Sequence, residues 1–499
     1  MTTSARETEA APSTAEEQVS HPGFDLRLWL NELRRLGELD EVSGAELDYE
    51  IGAITDLNAK NRGRALLFDR IPGYEGAGSV LSCSLGSPAR VASALGLPEG
   101  LDVHQLVEQL RGLPRQWQAA AAQYQPRVVE TGPVCNEILS GDQIDLRSYP
   151  APLWHEGDGA RYLGTGGSVI TRDPETHDVN YGTYRVSVRD ERSLGVFIEP
   201  INHGGIHLNK YLERGERAPI AVSFGHGPLI YLASALPLPY GVNELSVAGA
   251  IAGTPVDVIE GEVTGLPIPA SSELAIEGWV EPDDEDWEGP FGEFTGYFAG
   301  GREKRPVIHV ERVYSRGRPI VYGSLPGKPP FDHSFWRAAL ESSLLLDELQ
   351  ALIPGVSAAW KYETGSANFF NVVSIKQRYA GHAQQVGAAA ALVAGGVSMG
   401  RYVVVVDDDI DVTDIDDVIW AISTRTDPAQ SIQIIRDTPT NPLDPMLADP
   451  EGPWVSSRAI INACRPYHRL RDFAPVVEVS PDLARRVRER WGAQLGWTK

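Results

Sequence analysis

The stretch HDVNYGTYRVSVRD, His177–Asp190, holds a turn signal and a strand signal side by side. Gly182 marks the turn. From Arg185 onward Val186 and Val188 alternate with polar residues, the period of a half-buried strand, so Arg185 is expected at the start of a strand. The same texture extends in both directions: GGSVITRD precedes it, and TPVDVIEGEVTG and RPVIHVERVYS follow, all short alternating runs punctuated by turn residues. Residues 126–317 are therefore predicted to form an antiparallel β domain of barrel type.

The flanks have a different rhythm. FDLRLWLNELRRLGEL sets Leu26, Trp29, Leu30, Leu33 and Leu36 on one 3.6-residue stripe, so ordered chain is expected from about Phe24, in a core-facing helix. The strand-like RALLFDRI and GSVLSCSL then mix with the helical LDVHQLVEQLRGL, an α/β pattern over 23–125. After GSLPGKPPFDH the chain turns helical in SFWRAALESSLLLDELQAL. GRYVVVVDDDIDV then runs four consecutive valines into an acidic cluster, the mark of a strand covered on both faces in a third, α/β unit over 318–499. The expected fold class is mixed α+β, and the Ala/Thr/Glu-rich residues 1–22 read as a disordered tail.

Composition narrows the function. With 42% hydrophobic and 22% charged residues the chain reads as an ordinary globular enzyme-sized protein. A net charge of -24 without any compensating basic block disfavours nucleic acid and anionic membranes as partners. Cys83, Cys135 and Cys464 are scattered and show no CxxC spacing, which argues against disulfide scaffolds and thiolate zinc sites and for a reducing compartment. Neither a signal-type apolar region nor a run of about 20 apolar residues is present, so a cytoplasmic location is expected.

On its own Arg185 reads as a surface arginine of a hairpin. Its company alters that reading. EPINHGGIHLNKY contributes Asn202, His203 and His207, PYGVNELSVAGA contributes Glu244, and EGPFGEFTGYF contributes Glu288 and Glu293. Asn180, His203 and Glu244 offer an amide oxygen, an imidazole and a carboxylate, a set that suits manganese or magnesium better than zinc. Singly, His203 is an ordinary loop histidine and Glu244 an ordinary solvated charge. Beyond Gly289 the sequence turns aromatic at Phe291, Phe294, Tyr297 and Phe298, surroundings that raise a carboxyl pKa and let it hold a proton near neutrality. One glutamate can then donate a proton while the other pairs with Arg185, whose fork can also clamp a substrate carboxylate. Glycoside hydrolysis also uses two carboxylates. It leaves Arg185, Asn180 and His203 idle, and of the 11 tryptophans only Trp287 adjoins these glutamates. A cofactor or metal carrier without turnover is the non-enzymatic alternative.

In order, NYGTYR, NHGG, ALPLPYGVNE, EGPFGEFTGYF, and VVVVDDDIDV with WAISTR resemble the UbiD family of reversible decarboxylases, from about Phe24 almost to the C-terminus. Each motif is modest; five in this order are specific. The resemblance implies an N-terminal α/β region, a central split β-barrel that binds flavin, and a C-terminal α/β domain that forms homodimers or larger assemblies. It implies prenylated FMN, its phosphate bridged to the protein by manganese and potassium. Asn180, His203 and Glu244 match the manganese ligands. Tyr181, Ala233, Ser234 and Leu236 fall at the potassium site, with Arg425 a further, outlying candidate. Asn180, Tyr181, Gly182, Thr183, Tyr184, Arg185, Asn202, His203 and Glu244 match cofactor-contact positions.

Arg185, Glu288 and Glu293 match the catalytic triad: Arg185 orients the carboxylate, Glu288 holds Arg185, and Glu293 protonates. The chemistry agrees, because carbon dioxide leaving an unsaturated carbon requires an organic electron sink. The resemblance further implies a flavin prenyltransferase as cofactor supplier. The substrate is then an aromatic, heteroaromatic or α,β-unsaturated acid, with Asn202 and His333 on the substrate side. The acidic DDDID carries no such role and is expected to be structural.

Overall fold

The stripe at the start of the chain becomes the helix Leu26–Leu36, with Leu26, Trp29, Leu30 and Leu33 buried. The Asp25 side chain caps it by accepting from the N–H groups of Arg27 and Leu28, and Gly37 closes it in the left-handed region at φ 69°. The computed structural model describes residues 21–298, 301–393, 399–447 and 452–497. The tail expected over 1–20 therefore lies outside the described residues. His21 and Pro22, assigned to that tail by composition, belong to the fold: the His21 carbonyl accepts from Phe24 and Asp25, and its Nδ1 from Gly23.

Three sheets carry the architecture, with a small fourth one, Pro267–Pro269, Asp257–Glu260 and Arg127–Val128, at the side. The N-terminal sheet runs in the order Leu39–Ser43, Ala65–Asp69, Ser79–Ser82, Ile320–Tyr322. Its last strand pairs in parallel with Ser79–Ser82 although it follows the barrel in sequence. The C-terminal sheet is mixed, in the order Val356–Lys361, Phe370–Ile375, Tyr402–Asp407, Val455–Ala463, Ile432–Pro439. Val403 to Val406 are fully buried in its centre, as the four valines predict.

The central sheet has nine strands, and all of its pairings are antiparallel. Its spine is the hairpin of Leu274–Glu288 and Glu303–Ser315, whose register slips between Glu277 and Gly278 and between Val280 and Glu285. Such bulges bend a sheet. The strands at its two ends are Arg161–Gly164 and Val179–Gly182, and they do not pair with each other, so the barrel is split. Val186–Val188 pairs with Arg161–Gly164 and with Ser193–Val196, not with Val179–Gly182. Residues 183–185 are thus no hairpin turn, as a local reading of Gly182 suggests, but the segment that crosses the split. A Cβ at Gly182 would stand 2.3 Å from the Tyr184 ring, so any larger residue there displaces that ring.

The helix Pro481–Leu495 buries only Gly492 and leaves Leu483, Trp491 and Leu495 exposed. Among the described residues, no helix is long and apolar enough to cross a membrane.

Glu273, fully buried, ties the units together. Its carboxylate accepts from Arg27 Nε at 2.8 Å and Nη2 at 2.9 Å, from Arg316 Nη1 at 3.3 Å and from the Ile320 N–H at 3.2 Å. It therefore joins the first helix, the barrel and the returning strand. Without Glu273, Arg27, 42% exposed, can turn to solvent and Arg316 keeps Asp25, while the Ile320 N–H loses its acceptor. Glu273→Ala is expected to lower stability by about 1–2 kcal/mol. Chemical unfolding measures this, and an unchanged midpoint would dismiss the link.

Candidate active site

Arg185 leaves the crossing segment with its guanidinium between two carboxylates. Nε donates to Glu288 Oε1 at 2.9 Å, Nη2 to Glu288 Oε2 at 2.5 Å, and Nη1 to Glu293 Oε1. All three side chains are buried. The Phe197 ring lies 4.0 Å from the guanidinium carbon and Phe291 5.2 Å, so the cation rests on aromatic surface. Glu288 ends the long strand, and Gly289, at φ 81°, turns the chain away where a Cβ would lie 2.5 Å from the Gly301 carbonyl. That turn brings Glu293 back to the same guanidinium. Tyr162 donates to Glu288 Oε1 at 2.7 Å.

The two carboxyls are not equivalent. Glu288 accepts three hydrogen bonds, Glu293 one. Burial pushes the Glu293 pKa up to about 7, against the pull of Arg185 and with some help from Glu288.

Arg185 and Glu293 face a cavity of about 510 Å³ that Asn180, Asn202, His203 and Glu244 also line, while Glu288 holds Arg185 from behind the wall. Asn180 Nδ2 donates to Glu244 Oε1 at 2.6 Å, and the Tyr181 N–H donates to Glu244 Oε2 at 3.0 Å. Asn180 Oδ1 is buried without a partner. Burial raises the Glu244 pKa to about 7 and lowers that of His203, which leaves a neutral imidazole. Among the described residues no three His, Cys, Asp or Glu side chains gather as a metal cluster. This set depends on the Asn180 amide for its third donor. His207 is used elsewhere: its Nδ1 pairs with Thr171 Oγ1 at 3.0 Å. Asn202 precedes the helix His203–Leu212 as its N-cap, yet makes no side-chain cap bond, so its amide is open to the cavity.

Gly182, Thr183, Tyr184, Ser234 and Leu236 also line the cavity, and Tyr181 and Ala233 are fully buried. His333 lines it too, with Nδ1 2.7 Å from Ser324 Oγ, and burial lowers its pKa to about 3.

Comparison with known proteins completes the description. Profiles of the 3-octaprenyl-4-hydroxybenzoate carboxy-lyase N-terminal, Rift-related and C-terminal domains match residues 30–110, 127–329 and 334–463. The chain belongs to the UbiD family. It is 33% identical to the pyrrole-2-carboxylic acid decarboxylase of Pseudomonas aeruginosa, over 95% of this chain and 98% of that one. The UbiD-class enzyme HmfF of Pelotomaculum thermopropionicum in complex with FMN is 29% identical, with a TM-score of 0.81 over 92% of this chain and 98% of HmfF. An evolved dimeric form of HmfF in complex with prFMN is 28% identical with a TM-score of 0.78, again over 92% and 98%. The protein is thus an enzyme of the UbiD decarboxylase type, with the three-part fold expected.

Of the predicted residues, Tyr181, Ala233 and Glu288 are buried behind the cavity wall, and Arg425 lies in another domain. Arg425 is held in the C-terminal domain by Asp409, through two bonds of 2.9 Å, and by Asp407 at 3.1 Å. It does not line the cavity, and the DDDID cluster serves as its counter-charge. Sequence reasoning in turn missed Tyr162, Phe197, Trp336 and Asn441, of which all but Tyr162 line the cavity. An isolated aromatic in a buried strand offers no periodic signal that it touches a glutamate.

Without Arg185 the two carboxyls must share a dry site unpaired. Arg185→Met is expected to cost about 3 kcal/mol at pH 8 and clearly less at pH 5. In the wild type Glu293, with its pKa near 7, is ionised beside Arg185 at the higher pH and protonated at the lower, so the ion pair that the variant loses is present mainly above pH 7. Thermal unfolding at the two pH values tests this, and an equal loss at both would refute the electrostatic account.

Proposed function

We propose that this protein is a prenylated-FMN-dependent, non-oxidative decarboxylase of an aromatic, heteroaromatic or α,β-unsaturated acid. The observation that carries the reading is a guanidinium clamped by two unequal glutamates on the wall of one large cavity. Arg185 has five N–H donors, and the two glutamates take three. One N–H on each Nη remains to donate to a substrate carboxylate. Glu288 fixes the guanidinium and is itself fixed by Tyr162. Glu293 carries the proton that replaces the departing carboxyl group at carbon, and its pKa near 7 lets it hold that proton at neutrality.

The residues fit the cofactor that the family resemblance implies. Asn180 Oδ1, orphaned and buried, together with the desolvated Glu244 carboxyl and the neutral His203 ring, makes a donor set for a divalent cation such as manganese. The open N-terminus of the helix His203–Leu212 at the cavity favours a phosphate. A potassium ion would draw on oxygens of Tyr181, Ala233, Ser234 and Leu236, without Arg425. Bound there, prenylated FMN supplies the electron sink that carbon dioxide loss requires. His333 and Asn202 would meet the aromatic body of the substrate. The exposed apolar face of Pro481–Leu495 supports homo-oligomerisation through the C-terminal domain. A glycosidase reading fits less well, since both carboxyls serve one guanidinium.

The test is expression with and without a flavin prenyltransferase, followed by incubation with aromatic acids in deuterated buffer. Decarboxylated, deuterium-labelled product is expected only from the co-expressed enzyme, and its absence across the panel would reject the proposal. Glu293→Gln is expected to keep flavin and metal while losing at least about 100-fold in kcat. For wild type, decarboxylation should decline as pH rises through about 7, because Glu293 then loses its proton. A rate that climbs over that range would contradict its role as the acid.

A further inference from the structure

Phe197 and Glu199 continue the line of the strand Ser193–Val196. Both line the cavity, whereas Ile198 between them packs into the barrel core. Phe197 lies against two guanidinium groups, with Arg185 at 4.0 Å and Arg305 at 4.3 Å from the ring centre. Glu199 is 8% exposed. Its side-chain partner among the described residues is Arg305, whose Nη2 stands 3.5 Å from Oε1 while bonding Glu303 Oε2 at 2.5 Å. A contact of 3.5 Å is at the outer limit of a hydrogen bond, so Glu199 is a buried carboxyl short of donors. Burial moves its pKa upward against the pull of Arg305. Neither carboxylate clamping nor proton delivery requires it.

Phe197, Phe291 and Phe294 share this cavity wall, and an under-satisfied acceptor beside aromatic surface is costly unless an occupant donates to it. Arg185 is taken up by Glu288 and Glu293 and Arg305 by Glu303, so the donor that Glu199 lacks is left to an occupant of the cavity. Resting on the decarboxylase reading above, we propose that Glu199 is a specificity-determining residue that accepts a hydrogen bond from a ring N–H or ring hydroxyl of the aromatic acid held by Arg185. A site built to receive such a donor rejects the analogue that lacks it.

Two pairs of acids test the assignment in the cofactor-loaded enzyme: pyrrole-2-carboxylate against furan-2-carboxylate, and 4-hydroxybenzoate against 4-fluorobenzoate. Wild type is expected to prefer the donor-bearing acid of at least one pair by about tenfold or more in kcat/KM. Glu199→Leu should reduce that preference to within about twofold, and Glu199→Gln, which keeps a carbonyl acceptor, should retain part of it. The Kd ratio, read from flavin absorbance in protein loaded with plain FMN, should follow the same order without turnover. Equal use of both acids in each pair by wild type, or a preference that survives in Glu199→Leu, would overturn the assignment while leaving the decarboxylase reading intact. No decarboxylation of any acid by wild type would overturn the reading on which it rests.

Discussion

Placing one guanidinium between two carboxyls in a buried site constrains charge before it does any chemistry. With both glutamates ionised the cluster carries a net negative charge that burial opposes, and with one protonated it is neutral. Donor count decides which one takes the proton. Glu288 receives Tyr162 Oη and two N–H groups of Arg185, whereas Glu293 receives a single N–H. The proton therefore belongs on Glu293, and the asymmetry that a proton donor needs follows from hydrogen-bond supply.

The split in the barrel explains how Asn180 and Arg185, which face different partners, come from a single short segment. Val179–Gly182 lies at one end of the central sheet, and Val186–Val188 is next to the strand at the other end. Five residue steps, from Asn180 to Arg185, can cover about 16 Å when extended. Asn180 thus stays with Glu244 while Arg185 reaches Glu288 and Glu293. The Asn-x4-Arg spacing is a crossing distance. Had the segment folded as a hairpin, both ends would have lain on one side of the opening.

This also marks how far the sequence could be read. Glu288 and Glu293 bracket the turn-forming Gly-Pro-Phe-Gly and adjoin aromatics in sequence, so their meeting at one arginine was legible. The four valines around Val404, the first helical stripe and the alternating centre were legible for the same reason: each is a local pattern set by burial on one or both faces. Tyr162 is 126 residues from Glu288, and the strand Ile320–Tyr322 is too short to announce that it leaves the barrel for the N-terminal sheet. Such pairings depend on which edges remain open once the larger pieces have folded. Arg425 is held away from the cavity because two nearby aspartates claim its charge.

The same returning strand gives the N-terminal sheet its bearing on the cavity. From Tyr322 the chain passes through Ser324 and Pro326 to His333, all three on the cavity wall. The loop is held at both ends. Gly323 N–H donates to the Leu81 carbonyl at 2.8 Å, and Asp332 Oδ2 accepts from the Cys83 N–H at 2.9 Å. Asp332 is buried, its pKa is pushed up to about 7 by burial, and its backbone bonds draw it back down. Leu81 and Cys83 themselves stay off the cavity wall. The N-terminal domain therefore bears on the cavity through the loop it anchors, which carries the His333 ring on the cavity wall.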